Sequence, residues 1–181
     1  MLEGLDRVDW SNLTHAYGSA VDVPDLIRAL ASPRESERKA ALWELCGNIF
    51  HQGTRYPASP YAVPFLLQLL RDPRGEQKQE LIELLVGLAT GVPEECLPDG
   101  PGVEAWTRSA GSEDEEERRA GRAYLDCFRA VREGVPDLVH LLAHGEEAVR
   151  RRAALALFWF REEAATVAPA LDLVIRTDRD E

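Results

Sequence analysis

Apolar residues recur with a helical period along most of the chain, and the pattern predicts pairs of amphipathic helices. Three segments begin with Val-Pro, with the prolines at positions 24, 64 and 136, and align without gaps. Counted from each proline, Leu stands at offsets +2, +6 and +21, Ala or Leu at +17, and a basic residue at +14. These spacings keep the apolar side chains on one face of each of two successive helices. Each segment therefore predicts a helix, a short turn and a second helix.

Proline and turn residues predict where these helices begin and end. Pro is tolerated in the first turn of a helix, because the first N–H groups have no intrahelical acceptor. A second proline, Pro60, stands four residues before Pro64 and predicts a bend or a late start in that helix. The turns inside the three pairs are predicted at Ser32-Pro33, Asp72-Pro73 and His144-Gly145.

The spacing of the prolines predicts a fourth, degenerate pair. Pro24 and Pro64 are 40 residues apart, whereas Pro136 follows only after 72 more. A capping box at Ser112–Glu115 predicts a long helix from there to about Arg132. Its predicted apolar stripe consists of Ala120, Tyr124, Cys127, Phe128 and Val131. The stretch 91–111, rich in Gly and Pro, predicts a loop insertion with a short helix around 104–106.

The repeated segment resembles the HEAT-repeat family, whose first helix carries a Pro before a Leu-rich stripe and whose second helix has an early basic residue. Asp72 matches the Asp that is common in the family's turn, while Ser32 and His144 depart from it. The resemblance implies a single all-α domain over residues 1–181, an α-α superhelix or α-solenoid of about four helix pairs. Its approximate units are 22–50, 60–90, the degenerate 96–133 and 134–160, followed by a C-terminal half unit at 163–176. Such stacks present extended surfaces that bind other proteins.

The composition limits which classes of partner the protein is expected to bind. The net charge is −11, which argues against binding to duplex nucleic acid or to anionic membranes and favours a basic protein partner. The chain starts without a secretory signal and has no apolar run of membrane-spanning length, so we expect a cytoplasmic protein. Three cysteines without a CxxC pair suit a reducing compartment. The preference for Arg over Lys indicates a GC-rich genome, in keeping with a bacterial HEAT-like protein.

Two polar, aromatic loops are candidate binding sites, since each precedes the first helix of a pair and a regular stack makes them neighbours. One interpretation is a patch that recognises a peptide, carboxylate or phosphate, anchored by Arg55. The other is that these side chains satisfy exposed helix ends and pack the long turns. The residues are His15, Tyr17, His51, Gln52, Thr54, Arg55 and Tyr56.

Three consecutive aromatic residues, Phe158, Trp159 and Phe160, form a second candidate interface, because they cannot all face one side of a helix. At least one of them is expected to point toward the terminal half unit or toward a partner. His140 and His144 have i, i+4 spacing, but no third metal ligand accompanies them. The sequence therefore gives no reason to expect a metal or a cofactor.

The sequence is compatible with several functions. The first is a non-enzymatic interaction or scaffold module, and a specific form of it is an immunity or antitoxin-like protein that neutralises a basic effector. HEAT-like enzymes include bilin lyases and alkylpurine DNA glycosylases, but we find no catalytic motif in this sequence. A third class is a structural protein that self-associates through the aromatic C-terminal end.

Overall fold

The computed structural model describes residues 2–72, 75–92 and 99–177, and these residues are predominantly helical. The all-α fold predicted from the apolar pattern is therefore confirmed. Pro73, Pro93, Cys96 and Pro98 lie outside the described residues. The α-helices are α1 (Val23–Ala29), α2 (Glu35–Ile49), α3 (Ser59–Arg71), α4 (Lys78–Thr90), α5 (Val103–Ala110), α6 (Glu115–Arg132), α7 (Val135–Leu141), α8 (Glu147–Leu157) and α9 (Ala164–Thr177).

The first eight of these helices pack in consecutive pairs, α1 on α2 through to α7 on α8. α1 and α7 begin at the Val of their Val-Pro, with the proline in the first turn. Of the bend or late start predicted from Pro60, the late start is wrong, because α3 already begins at Ser59 and takes Pro60 into its first turn. Pro64 then lies inside α3.

The degenerate pair contains a longer first helix than the sequence predicts. α5 begins at Val103, 40 residues after Val63, so it lies in the register of the other first helices. Glu104 stands at its proline position, and Trp106 stands at the +2 Leu position. The short helix predicted around 104–106 is thus an eight-residue helix at the usual place in the repeat. Without Pro and Leu, the sequence signal that marks the other first helices is missing.

A basic side chain at the start of each second helix closes the turn before it. In all four pairs, it donates a hydrogen bond to the backbone carbonyl six residues earlier. These bonds are Arg38 to Ser32 O (2.8 Å), Lys78 to Asp72 O (2.7 Å), Arg118 to Ser112 O (2.9 Å) and Arg150 to His144 O (2.9 Å). The turn carbonyls lie at the end of a helix and lack intrahelical donors, so a cation there satisfies them. This hydrogen bond explains why a basic residue recurs at offset +14 of each pair.

The start of α6 differs from its prediction by two residues. Asp114, rather than Ser112, is the N-cap, and its carboxylate accepts a hydrogen bond from the backbone N–H of Glu117 at 2.8 Å. The Glu117 carboxylate instead accepts hydrogen bonds from the hydroxyls of Ser109 and Ser112. Glu117 therefore ties the end of α5 to the start of α6.

Three second helices are linked in the order α2, α4, α8. Arg38 near the start of α2 forms an ion pair with Glu76, which lies just before α4, and Phe50 at the end of α2 lies against Gly87 of α4. On the other side of α4, Glu83 pairs with Arg152 of α8 at 2.6 Å. The second and fourth pairs thus meet directly, while α6 packs against α3 and α4. This order differs from a stack in which each pair contacts only its neighbours in sequence, and the superhelix stays a prediction.

The two cysteines in the described part of the chain are both in second helices. Cys127 is buried in α6, and Cys46 is partly buried in α2. Burial raises the pKa of the Cys46 thiol to about 11.

α9 follows a short 3-10 helix at Arg161–Glu163, and Val167 joins the core. Among the described residues, the helices are all too short or too polar to span a bilayer.

Candidate functional site

The two predicted loops fold as β-hairpins. The first has strands β1 (Thr14–His15) and β2 (Gly18–Ser19), and the second has strands β3 (Phe50–His51) and β4 (Thr54–Arg55). Gln52 and Gly53 both have positive φ, at 49° and 82°. Two successive residues with positive φ are typical of the two-residue turn that matches the twist of a hairpin.

The hairpins lie next to each other, as the sequence predicts. The Ala16 N–H donates to Asn48 O at 3.0 Å, and the Ala58 N–H donates to Thr14 O at 3.1 Å. At the exposed side, the Tyr17 hydroxyl lies 3.2 Å from His51 Nδ1, and the two rings meet edge to face. The first hairpin is thereby fixed to both segments that flank the second.

His15 is a structural residue of this arrangement. Its Nδ1 accepts the Tyr17 N–H at 3.0 Å, so the ring proton is on Nε2, which lies 2.9 Å from the Asp22 carboxylate. Asn48 donates to the same carboxylate at 2.8 Å. Because both ring nitrogens have partners inside the protein and the ring is buried, His15 is not free to bind a ligand.

Arg55 also points inward, so its position differs from that of the exposed anchor predicted from the sequence. Its guanidinium carbon lies 3.7 Å from the ring centre of Tyr124 and 4.8 Å from that of Trp106. It donates to Gly53 O at 2.9 Å. A cation on aromatic faces is stabilised by the ring quadrupole, most strongly when water is excluded. Arg55 therefore holds the second hairpin onto the degenerate pair.

Thr54 and Tyr56, at the end of the second hairpin, are partly buried. Burial raises the pKa of the Tyr56 phenol, while a hydrogen bond with the Thr54 side chain lowers it. Of the seven predicted binding residues, two are exposed, three are partly buried and two are buried: in that order Tyr17 and Gln52, then His51, Thr54 and Tyr56, then His15 and Arg55. Tyr17 is 69% exposed and offers the largest surface. We call Tyr17, His51 and Gln52 the hairpin patch.

The aromatic triplet divides between core and surface. Phe160 is buried and stacks on Phe128, with 5.6 Å between ring centres. Phe158 is 50% exposed and meets Trp159 edge to face at 5.1 Å. Phe158 and Trp159 are thus available to a partner, and Phe160 is not.

Phe158 and Trp159 line an open apolar groove of about 630 Å³ between α4 and α8. A Cβ on Gly87 would lie 2.7 Å from the Phe50 ring, so the missing side chain lets Phe50 form part of the groove. The Glu83–Arg152 ion pair lies in its lining. The other lining residues are Val86, Gly91, Leu155 and Ala156.

Trp43, which is not among the predicted binding residues, is 84% exposed on α2. It stands at offset +19 in the repeat, the position of Glu83 in α4 and of Leu155 in α8. Offset +19 is two residues from the core positions +17 and +21, about 200° around a helix. The repeat therefore contains a signal for an outward tryptophan. We call the outward side of α2, α4 and α8, with Trp43, Glu83, Val86, Leu155 and Phe158, the second-helix face.

His140 of α7 and His144, in the turn after it, belong to no group of three metal-ligating side chains in the described part of the chain. His144 Nδ1 accepts the backbone N–H of Glu146 at 3.1 Å. Ser32 and Ser112 accept a backbone N–H two residues ahead in the same way. His144 thus serves as a turn residue.

Neither a family model nor a curated protein matches the chain. Solved structures do match, among them two engineered proteins from the Northeast Structural Genomics Consortium. One is 23% identical, with a TM-score of 0.34, over 82% of this chain and 68% of its own. The other is 22% identical, with a TM-score of 0.33, over 87% of this chain and 43% of its own. We base neither fold nor function on similarities at this level.

Proposed function

We propose that this protein is a non-enzymatic binding module that holds a partner protein on the second-helix face. The observation that carries the proposal is the apolar groove between α4 and α8, with exposed large side chains beside it. Leu155 is 63% exposed, and Phe158 and Trp43 add aromatic surface on the same face. Clusters of exposed apolar residues mark interaction sites more often than single ones do.

The chemistry of these residues suits a protein interface. Tryptophan and other large side chains provide most of the binding energy where a partner excludes water from them. The groove is open and mainly apolar, and the nearby Glu83–Arg152 ion pair supplies polar groups at its edge. An interface with an apolar centre and a polar rim has this composition.

The HEAT-type assignment is part of the same proposal. It is supported by the four helix pairs and by the basic residue that binds the carbonyl six residues earlier in each of them. We place the protein in the cytoplasm of a bacterium, where its thiols stay reduced. A charge of −11 favours a basic partner, which makes an immunity or antitoxin-like role against a basic effector the specific form of the proposal.

The hairpin patch is a second candidate surface. Tyr17 is 69% exposed and packs on His51, so it offers a rigid aromatic contact with two hydrogen-bonding groups. His51 and Phe50 are neighbours in β3 and point to opposite faces of the second hairpin, and Phe50 lines the groove. Variants can therefore separate the two surfaces.

Site-specific photo-crosslinking in the source cells tests the proposal. A benzophenone amino acid is placed at position 155 in the groove, at 17 in the hairpin patch and at 129 on the exposed side of α6. A discrete crosslinked partner at 155, absent at 129, supports the proposal. A partner found only at 17 moves the function to the hairpin patch, and equal or absent crosslinking at all three positions rejects both surfaces.

A further inference from the structure

Two histidines hold Tyr17 at the tip of the first hairpin (residues 15–18), and each does so through its Nδ1 atom. The backbone N–H of Tyr17 donates to His15 Nδ1 at 3.0 Å, and the Tyr17 hydroxyl lies 3.2 Å from His51 Nδ1. A histidine nitrogen accepts a hydrogen bond only while it carries no proton. Histidine is also the side chain whose charge ordinarily changes between about pH 5 and pH 8. The position of Tyr17 therefore depends on two side chains that acid can alter.

The two contacts respond differently to protonation. The Tyr17 hydroxyl can rotate and accept a hydrogen bond from His51 Nδ1, so a protonated His51 keeps its partner. A backbone N–H can only donate, so the bond between Tyr17 and His15 cannot be reversed in this way. A proton on His15 Nδ1 would place two donors 3.0 Å apart. Protonation of His15, unlike that of His51, is thus incompatible with the observed hairpin tip.

The contacts of His15 leave Nδ1 as the place for a second proton. The Nε2 atom already carries a proton and lies 2.9 Å from the Asp22 carboxylate. Asn48 of α2 donates to the other oxygen of that carboxylate at 2.8 Å, which fixes its position. The Tyr17 ring meets His15 edge to face, with 6.3 Å between the ring centres, and His51 lies beyond that ring.

The groups around His15 act on its protonation in opposite directions. Asp22, just before α1, favours the imidazolium, because a carboxylate at hydrogen-bond distance stabilises a cation. The Tyr17 N–H opposes it, and so does burial, since the ring of His15 is only 8% exposed. Asn48 is uncharged, and a protonated His51 would add a more distant positive charge. Opening the hairpin tip removes the opposing N–H and exposes the ring, while the contact with Asp22 can stay.

We propose that protonation of His15 opens the tip of the first hairpin, so that the hairpin patch is assembled near neutral pH and dispersed in weak acid. The observed tip binds one proton fewer than the open tip, so a falling pH favours the open form. The hydrogen bond from the Ala58 N–H to Thr14 O involves no histidine side chain, so the base of the hairpin stays in place. This inference goes beyond the proposed function, which concerns the groove between α4 and α8. A partner held on Tyr17 would leave in acid, whereas one held in the groove would stay.

Nuclear magnetic resonance on the full chain tests the inference. The chain has four histidines, and the Cε1–Hε1 signal of each one follows its protonation as the pH is lowered from about 8 to about 5. Nuclear Overhauser effects between the rings of Tyr17 and His51, whose centres lie 5.5 Å apart, report the closed tip. The Tyr17 amide signal reports the hydrogen bond with His15. The indole signal of the buried Trp10 reports whether the fold as a whole is intact.

In the wild type, the ring contacts between Tyr17 and His51 should be lost at the midpoint pH of His15, with the Trp10 signal unchanged. His15→Asn supplies an amide oxygen that accepts the N–H two residues ahead at any pH, so the ring contacts should persist to about pH 5. Asp22→Asn removes the carboxylate and should lower the midpoint by about one pH unit. The matched control is Asp25→Asn, because Asp25 is exposed and pairs with Arg28; it should leave the midpoint unchanged.

The other outcomes overturn the inference. One is a His15 that takes up its proton while the ring contacts remain, or that stays neutral down to about pH 5. Another is a loss of the contacts at the midpoint of His51, or a loss that His15→Asn does not prevent. A simultaneous change of the Trp10 signal would show global unfolding instead of a local opening. If His15→Asn does not fold, Asp22→Asn decides, and a midpoint equal to that of the wild type overturns the inference.

Discussion

Replacing Lys78 by methionine removes a buried cation that closes the turn between α3 and α4. Its ammonium group donates to Leu70 O and to Asp72 O, each at 2.7 Å. A hydrogen bond with a charged donor contributes about 1.5–3 kcal/mol, and a buried acceptor left without a donor costs about 1–3 kcal/mol. Burial lowers the pKa of Lys78, so removing the charge also recovers part of its desolvation cost. We expect a net loss of about 2–4 kcal/mol in the free energy of unfolding.

Urea denaturation followed by circular dichroism measures this loss. With a slope of about 2 kcal/mol per molar urea, the midpoint should fall by about 1–2 M. The chain's other lysine is the matched control, because Lys39 is exposed and pairs with Glu35 on the surface of α2. Lys39→Met is expected to change the midpoint little. If the two variants unfold at the same urea concentration, the structural role of the recurring basic residue is refuted.

Three further predictions concern the packing of the second hairpin, the acid sensitivity of the α5–α6 junction and thiol reactivity. Gly87→Ala places a methyl group against the Phe50 ring and should lower the free energy of unfolding, measured by thermal denaturation, by about 1–3 kcal/mol. Gly47 stands at the same repeat position with open space around it, so Gly47→Ala should be neutral or stabilising. Hydrogen bonds from the hydroxyls of Ser112 and Ser109 lower the pKa of Glu117, so its contribution to stability is present above about pH 4.5 and is lost as the pH falls through the lowered pKa of the folded state. The difference in unfolding free energy between the wild type and Glu117→Gln should therefore shrink below about pH 4.5. A difference that stays constant with pH would contradict this prediction. Because the pKa of the Cys46 thiol is about 11, iodoacetamide at pH 7.5 should label it in a Cys96→Ser background much more slowly than free cysteine, and labelling at the rate of free cysteine would refute the burial argument.

The sequence predicts the paired helices because Pro, Leu and the basic residue each have a local physical role. Pro begins the first helix, Leu forms the core stripe, and the cation binds a carbonyl only six residues away. The adjacency of the two hairpins is predictable for the same reason, since both precede a first helix. Even the degenerate pair preserves this cation, as Arg118, although it has lost the proline.

The sites were harder to predict because they depend on contacts between distant segments. Arg55 is buried by Trp106 and Tyr124, which belong to the pair with the weakest sequence signal. The groove exists because α8 packs directly on α4, an arrangement that the order of repeats along the chain does not suggest. Trp43, by contrast, was within reach of the sequence, because its repeat offset places it opposite the core.

The four tryptophans allow a direct measurement of where a partner binds, through their indole ¹H–¹⁵N signals as the partner identified by crosslinking is added. Trp159 lines the groove, and Trp43 is exposed on the same face. Trp106 lies against Arg55 on the hairpin side, and Trp10 is buried with its indole N–H donating to Leu5 O at 3.0 Å. Binding on the second-helix face predicts shifts for Trp159 and Trp43, with Trp106 and Trp10 unchanged. A shift of Trp106 while Trp159 and Trp43 stay unchanged would contradict it.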